Sequence, residues 1–433
     1  AVSPWQWVPS LYFAQGLPYV VVMSVAVILF KRMGMSNTDI ALYTSGLNLP
    51  WVIKPLWSPL VDLLKTKRWW IVVMQILVGA GLAGIALTIQ GPLAFRYCLA
   101  FMWLLAFSSA THDIAADGFY MLGLNEKKQA YFVGIRSTFY RFAVIFGQGI
   151  LVMFAGWLEQ RYAREMPETA AIPQAWSLTF YLLTILFALL FVYHYLFLPH
   201  PRRDTCTLPP QQASAGRVFK EFLGTFTSFF QKKHIVSALI FILLYRFAEA
   251  QLVKITSPFL LDTPATGGLA LSTAEVGFIY GTIGVIALTI GGIVGGIAMA
   301  RRGLKSCLWT MTIAMNLPNI VYLYLSFARP ESIGIISGCV AIEQFGYGFG
   351  FTSLTYFMML FSNGKHQTAH YAICTGFMAL GLMLPGMISG WIEESIGYRA
   401  FFVWIMLCTI PSFWATHLVR KNLTDNHSDN SSR

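Results

Sequence analysis

Apolar runs of about twenty residues recur along nearly the whole chain, divided by short polar turns. A backbone that crosses hydrocarbon must satisfy its own polar groups, so such runs become helices or barrel strands. These runs are long and unbroken rather than short and alternating, which selects helices. Twelve fit, at about 7–30, 40–63, 69–90, 93–121, 130–157, 176–197, 235–261, 274–299, 306–327, 332–361, 370–392 and 399–418. Composition agrees: 56% of residues are hydrophobic and only 11% charged, against about a quarter charged in soluble domains. The expected fold class is an all-α membrane protein with twelve transmembrane helices, surrounded by membrane lipids.

The net charge of +11 does not point to nucleic acid, because the basic residues lie in short loops and one linker. Lys65, Lys67, Arg68, Lys127, Lys128, Arg301, Arg302, Lys305, Lys365, Arg420 and Lys421 all fall on one side of the expected spans. The linker adds Arg202, Arg203, Arg217, Lys220, Lys232 and Lys233 to that side. The opposite loops carry Glu159, Glu165, Glu168, Glu331, Glu393 and Glu394. The positive-inside rule then predicts that both termini are cytoplasmic. The six cysteines lie mostly singly within apolar runs and suggest no disulfide framework or metal site. No cleavable signal sequence is evident, and a start without Met reads as trimmed.

The linker divides the chain into a six-helix bundle at 1–197, a cytoplasmic segment at 198–234, a second six-helix bundle at 235–419 and a polar tail at 420–433. The linker segment RVFKEFLGTFTSFFQKK mixes aromatics with lysines, the pattern of an amphipathic interfacial helix. Two bundles of six about a cytoplasmic linker is the layout of the major facilitator transporters. Span 8 carries Gly284, Gly291, Gly292, Gly295 and Gly296. Gly292 and Gly296 share a face that admits a neighbouring helix.

Charge within a span needs a partner or a watery cavity. Asp113 and Asp117 stand four apart, on one face of span 4. Arg136 and Arg141 follow in span 5 at comparable depth, so the expectation is either an Asp–Arg network or a site. His112 points elsewhere and reads as a hydrogen-bonding histidine rather than a metal ligand. Span 7 places Arg246, Glu249 and Lys254 in the membrane, followed by a kinking Pro258. Arg246 and Glu249, three apart, have the spacing of an ion pair. Span 10 places Glu343 and Gln344 beside Tyr347 and Phe349, polar and aromatic groups of the kind that hold sugar rings. Asp62 closes span 2, where a carboxylate can hold a gate against a neighbouring helix end.

LYFAQGLPY at 11–19, LNLPWVIKPLWSPLVD at 47–62, ATHDIAADGFY at 110–120, YRFAEAQLVKITSPFLLD at 245–262, IEQFGYGFG at 342–350 and GWIEESIGYRAFF at 390–402 together resemble the muropeptide permease (AmpG) family. That family lies within the major facilitator superfamily. Departures include His112 for the family's glutamine, Gly118 for alanine, Arg246 for lysine and the shortened LLKTKRWW after Asp62. The resemblance implies proton-driven import of anhydro-muropeptides across the bacterial inner membrane by a monomer, with no cofactor and no catalysis. Asp113, Glu249, Asp117 and Glu343 are then the proton-coupling candidates. Arg246, Lys254, Lys54, Arg141, Tyr12, Gln15, Gln344, Tyr347 and Phe349 are the cargo-binding candidates. Asp62, Arg136 and Pro258 are the gating or structural ones. Another anionic cargo such as acetyl-CoA, or a membrane sensor that transports nothing, remains the alternative.

Overall fold

The computed structural model describes residues 2–201, 204, 223–224, 226–363 and 367–430, with the side chains at 59, 60, 62, 63, 126, 127, 129–131, 133, 134, 367, 368 and 423–430 left out. The described chain is helical nearly throughout. In order it forms α1 (Pro4–Arg32), α2 (Asn37–Gly46), α3 (Leu49–Leu64), α4 (Lys67–Thr88), α5 (Ala94–Gly123), α6 (Glu126–Val144), α7 (Val152–Tyr162) and α8 (Glu168–Phe197). The second part holds α9 (Ile235–Leu244), α10 (Phe247–Leu261), α11 (Thr273–Val276), α12 (Val285–Asn316), α13 (Ile320–Ala328), α14 (Ile333–Ser362), α15 (Gln367–Leu407) and α16 (Ile410–Asn430). Among the described residues eight continuous helices are long and apolar enough to cross a membrane. Large apolar side chains such as Val236, Leu189, Leu196 and Ile293 stand on the outside, which suits a surface bathed in lipid. Most of the linker, including residues 217–222 of the expected interfacial helix, lies outside the described residues, as does Lys365; so does the side chain of Asp62.

Local sequence explains where helices start and bend. Ser36 accepts from the Asp39 amide at 3.0 Å, Thr66 from Trp69 at 3.2 Å and Asn125 from Lys128 at 3.0 Å. These are N-caps that satisfy amides lacking a helical partner. Ser272 and Glu275 form a reciprocal capping box. Gly303 and Gly397 interrupt α12 and α15 at φ 73° and 77°, backbone angles that a side chain resists. Each break ends one apolar run and starts the next. Residues Tyr245 and Arg246 separate α9 from α10, with Arg246 at φ −107°, ψ 22°. Three stretches wind as π-helix: Val21–Val25 within α1, Ile145–Leu151 between α6 and α7, and Gly277–Gly284 between α11 and α12.

The chain forms two compact units that are not two continuous lengths of sequence. One holds Ala1–Met35, Ile53–Ser214 and Ser272–Gly281; the other holds Ser36–Val52, Ala215–Leu271 and Thr282–Arg433. The first has a core around Trp7, Leu11, Ile71, Ala115 and Phe119. The second has a core around Phe241, Tyr245, Leu308, Met311 and Leu354.

Within the second unit, α12 and α14 approach backbone to backbone. A Cβ at Gly291 would lie 2.1 Å from the Phe345 carbonyl oxygen, one at Gly295 2.7 Å from Thr352 Oγ1, and one at Gly348 2.0 Å from the Leu288 oxygen. Nothing approaches a Cβ at Gly296 within 4 Å. The expected Gly292/Gly296 face is therefore corrected at Gly296. The close seam runs through Gly291 and Gly295, with Gly348 of α14 on its other side, and the Gly292 backbone belongs to it: its carbonyl accepts from Thr352 Oγ1 at 3.4 Å and its nitrogen lies 3.1 Å from a Cβ at Gly348. Gly348→Ala is expected to lower the melting temperature in detergent, by overpacking worth about 1–3 kcal/mol. Gly296→Ala should leave it unchanged; equal melting of the two variants would remove the seam.

Candidate functional site

Each unit carries its own polar cluster among apolar helices. In the first unit, α5 presents Asp113 and Asp117 one turn apart. Lys54 of α3 forms an ion pair with Asp113, and the Gln15 side-chain amide of α1 donates to the same carboxylate. Asp117 accepts from the Tyr12 hydroxyl at 2.9 Å. Arg136 of α6 donates to the Tyr12 hydroxyl at 3.0 Å and to Asp117 at 3.4 Å. Its guanidinium also lies over the Tyr12 and Tyr120 rings, 5.2 and 4.9 Å from their centroids. The Tyr12 hydroxyl thus accepts from the arginine and donates to the aspartate, joining α1, α5 and α6. Opposite charges at these depths offset each other's desolvation. Asp117 and Arg136 come together as the sequence suggested. The cation on Asp113 is Lys54, expected only as a cargo-binding group. Arg141 lies half-buried, five residues beyond Arg136 in α6.

His112 faces away from this cluster. It is buried, and its Nε2 lies 3.1 Å from Gln75 of α4, which bonds His194 of α8 at 2.9 Å; His194 meets Ser10 at 2.9 Å. This chain of polar groups ties four helices together. Gly118, where the family usually has alanine, leaves room for the Lys67 side chain; a Cβ there would meet Lys67 Cε at 2.9 Å. No group of His, Cys, Asp and Glu among the described residues has the arrangement of a metal site.

In the second unit, Arg246 does not turn to Glu249. Arg246 is the N-cap of α10, and its guanidinium is drawn to α14 instead. Arg246 donates to the Tyr347 hydroxyl and lies over the Tyr347 and Phe351 rings, at 5.1 and 5.0 Å. A guanidinium clasped this way keeps donor groups for another ligand. Phe351 takes part in the clasp, whereas Phe349 stacks on Phe345 beside the glycine seam.

Glu343 of α14 accepts from Tyr322 of α13 at 3.0 Å and from its neighbour Gln344 at 2.9 Å. Its other carboxyl oxygen, and Oε2 of Glu249, have no hydrogen-bond partner among the described residues. Glu249 is only 4% exposed and Glu343 1%. Lys254 is buried on α10, five residues beyond Glu249, with Ser257 and Pro258 following.

Sequence reasoning missed the polar hubs formed by acids assigned to outer loops. In the first unit, Glu159 accepts from Arg32 at 3.0 Å, Trp176 at 2.8 Å and Thr273 at 2.8 Å. In the second, Glu394 accepts from the Asn37 amide at 2.7 Å, at the N-terminus of α2, and from Thr38. Glu393 and Tyr398 each bond the Asn37 side chain, and Tyr398 donates to Asp262 at 2.6 Å. The signal available was the run Ser-Asn-Thr-Asp before an apolar stretch, a helix start able to receive a carboxylate.

Apolar helices with charged residues turned inward define a multi-span membrane protein. The family model for the Major Facilitator Superfamily matches residues 10–368, and the chain belongs to that superfamily. Its relatives group it with the AmpG-like members. It is 25% identical over 415 residues to a "Putative transporter AmpG 4" of Rickettsia conorii, covering 93% of each chain. It is 24% identical over 420 residues to the "Anhydromuropeptide permease" of Escherichia coli K12, covering 95% of this chain and 79% of that one. The fold is similar to that of the nucleoside transporter NupG, with a TM-score of 0.69, 14% identity and coverage of 95% of this chain and 98% of that one.

The Lys54–Asp113 pair is testable by a double-mutant cycle with Lys54→Met and Asp113→Asn, read as unfolding in detergent. A coupling of about 1 kcal/mol is expected for side chains in direct contact. Strictly additive effects would show that the pair contributes nothing.

Proposed function

We propose that the chain is a proton-coupled importer of anhydro-muropeptides in the bacterial inner membrane, with both termini cytoplasmic. In this reading it is a monomer with twelve crossings in two bundles, 1–197 and 235–419. The breaks at Gly303 and Gly397 support that count, because each divides a helical run too long for one crossing. The basic loops support the orientation.

The observation that carries the coupling is Glu249. A buried carboxylate oxygen without a donor is costly as an anion. Glu343 of α14 is as deeply buried and also keeps one carboxyl oxygen without a partner among the described residues. Such a group is best placed to take up and release a proton as its surroundings change, with Glu343 as its companion. Asp113 and Asp117 are matched by cations and hydroxyl groups, which suits holding helices and cargo polar groups rather than carrying the proton alone. For cargo, Arg246 clasped by Tyr347 and Phe351 offers guanidinium donors for a carboxylate and aromatic faces for a sugar ring. Lys254 is buried on α10, eight residues beyond Arg246, and Gln344 lies one turn before Tyr347 on α14. A relative named for anhydromuropeptide transport supports this substrate class.

Uptake of GlcNAc–anhydro-MurNAc into proteoliposomes with an imposed gradient tests the proposal, with free stem peptide and acetyl-CoA as competitors. Each net charge carried inward at 100 mV is worth about 2.3 kcal/mol, or about fifty-fold accumulation. Glu249→Gln is expected to abolish accumulation while leaving exchange of preloaded cargo intact. Concentrative uptake by Glu249→Gln equal to wild type would remove Glu249 from coupling. Preferential competition by acetyl-CoA would remove the muropeptide assignment.

A further inference from the structure

The break between α9 and α10 lies inside the apolar stretch Ile235–Leu261, and it leaves backbone donors without acceptors. Hydrogen bonds run from the Tyr245 amide to the Phe241 carbonyl at 2.9 Å and resume from the Ala250 amide to the Arg246 carbonyl at 2.8 Å. Among the described residues no backbone carbonyl receives the amides of Phe247, Ala248 or Glu249. In an unbroken helix the Glu249 amide would take the Tyr245 carbonyl. Here the Ser412 hydroxyl of α16 takes that carbonyl at 2.7 Å, and the Asn316 side chain donates to the same hydroxyl at 3.0 Å. Side chains of other helices thus hold the break open, and α10 begins within an apolar stretch with its first amides unserved.

Two side chains at this helix start also keep unused groups. Glu249, in the first turn of α10, is buried, and its Oε2 has no hydrogen-bond partner among the described residues. Arg246, the N-cap, donates to Tyr347, while its Nε is buried without a partner among the described residues. The amides of a helix start create a positive potential that draws anions. With a guanidinium beside them they suit a carboxylate, which accepts from two donors at once. A charged glutamate at the third helical position reaches back to the same first amides. One set of donors therefore faces two carboxylates, that of Glu249 and that of an entering solute. The other charged or titratable groups here are Tyr245 at the break, Lys254 on α10, and Tyr347 of α14 with Glu343 one turn before it. Helices α2, α15 and α16 also pack on α10. They bring Ser45 and Gly386 beside Ala250, and Trp404 and Cys408 beside Gln251, none of them a cation or a carboxylate.

We propose that the start of α10 is a carboxylate site occupied in turn by Glu249 and by a carboxylate of the cargo. Cargo enters once Glu249 has taken a proton from water and no longer competes for the amides and Arg246. When cargo leaves, Glu249 returns that proton to water, and its carboxylate goes back to the donors. Proton and cargo load together because one set of donors cannot hold two anions. This rests on the reading of Glu249 as the coupling carboxyl, and it names the part of the cargo that Glu249 senses.

The purified chain in weakly buffered detergent solution, titrated with GlcNAc–anhydro-MurNAc, tests the site through binding and the pH change that accompanies it. Wild type should take up a proton as it binds the acid, and none as it binds the carboxamide of the same disaccharide. Affinity for the acid should fall by up to about tenfold per pH unit as Glu249 ionises. Glu249→Gln should bind the acid without proton uptake and with constant affinity from about pH 5 to about pH 9. Arg246→Gln is expected to weaken the acid about tenfold and the carboxamide far less, as befits loss of a charged hydrogen bond. Melting temperatures near wild type establish that both variants fold. Binding of the acid without proton uptake, equal uptake with the carboxamide, or uptake that persists in Glu249→Gln overturns the shared site and leaves the muropeptide assignment standing. Binding of acetyl-CoA with proton uptake, while the disaccharide does not bind, removes that assignment and keeps the site. Failure of every ligand to bind removes both.

Discussion

The cost of placing charge inside hydrocarbon governs where the polar side chains of this chain go. The first unit meets that cost by pairing. Lys54 and Gln15 converge on Asp113, while Arg136 and Tyr12 converge on Asp117. Four helices, α1, α3, α5 and α6, are joined through two carboxylates. The second unit leaves the cost partly unmet, since Glu249 and Glu343 each keep a carboxyl oxygen without a partner among the described residues. The two units thus treat the same physical problem differently. Matched charges fix helices in one arrangement, whereas an unmatched carboxyl is sensitive to whatever arrives, whether proton, cargo or a moving helix.

Much of the architecture was legible in the sequence because membrane helices obey one strong rule, that the backbone must satisfy itself. The long apolar runs follow from it directly. Asp117 and Arg136 were legible as a pair because a short turn between antiparallel helices fixes their relative depth. Lys54 and Asp113 are 59 residues apart, and nothing local sets the rotation of α3 against α5. The Arg246–Glu249 expectation failed for a definite reason. Spacing of three residues shows that two side chains can meet, while Tyr347 and Phe351 of the distant α14 hold the Arg246 guanidinium elsewhere. Gly296 fell outside the glycine seam of α12 because periodicity shows that small residues cluster, while the facing backbone of α14 decides which of them is pressed. The charged loops were read by sign alone, so the partners of Glu159, Glu393 and Glu394 went unseen.

The helix breaks and the polar hubs serve each other. An interrupted helix exposes amides and carbonyls that must find partners, and the acids near the span ends supply them. Glu394 receives the first amide of α2, and Lys232 donates to the last carbonyls of α14. A carboxylate at a helix start and an ammonium at a helix end both follow the direction of the helix dipole. These contacts hold the ends of elements whose middles are free to bend at π-helical turns and at Pro258.

Segments of the sequence halves are shared between the two compact units. The stretch Ser36–Val52 packs with the second unit, while Ser272–Gly281 packs with the first. The packing is close in both cases. A Cβ at Gly390 would meet the Asn37 carbonyl oxygen at 1.9 Å, and one at Gly281 the Gln148 oxygen at 1.9 Å. Backbones this near slide only by separating, because no side chain lies between them to repack. Each contact is reinforced by a carboxylate hub, Glu393 with Glu394 in one unit and Glu159 in the other. Glycine gives the closeness and the carboxylate gives the direction.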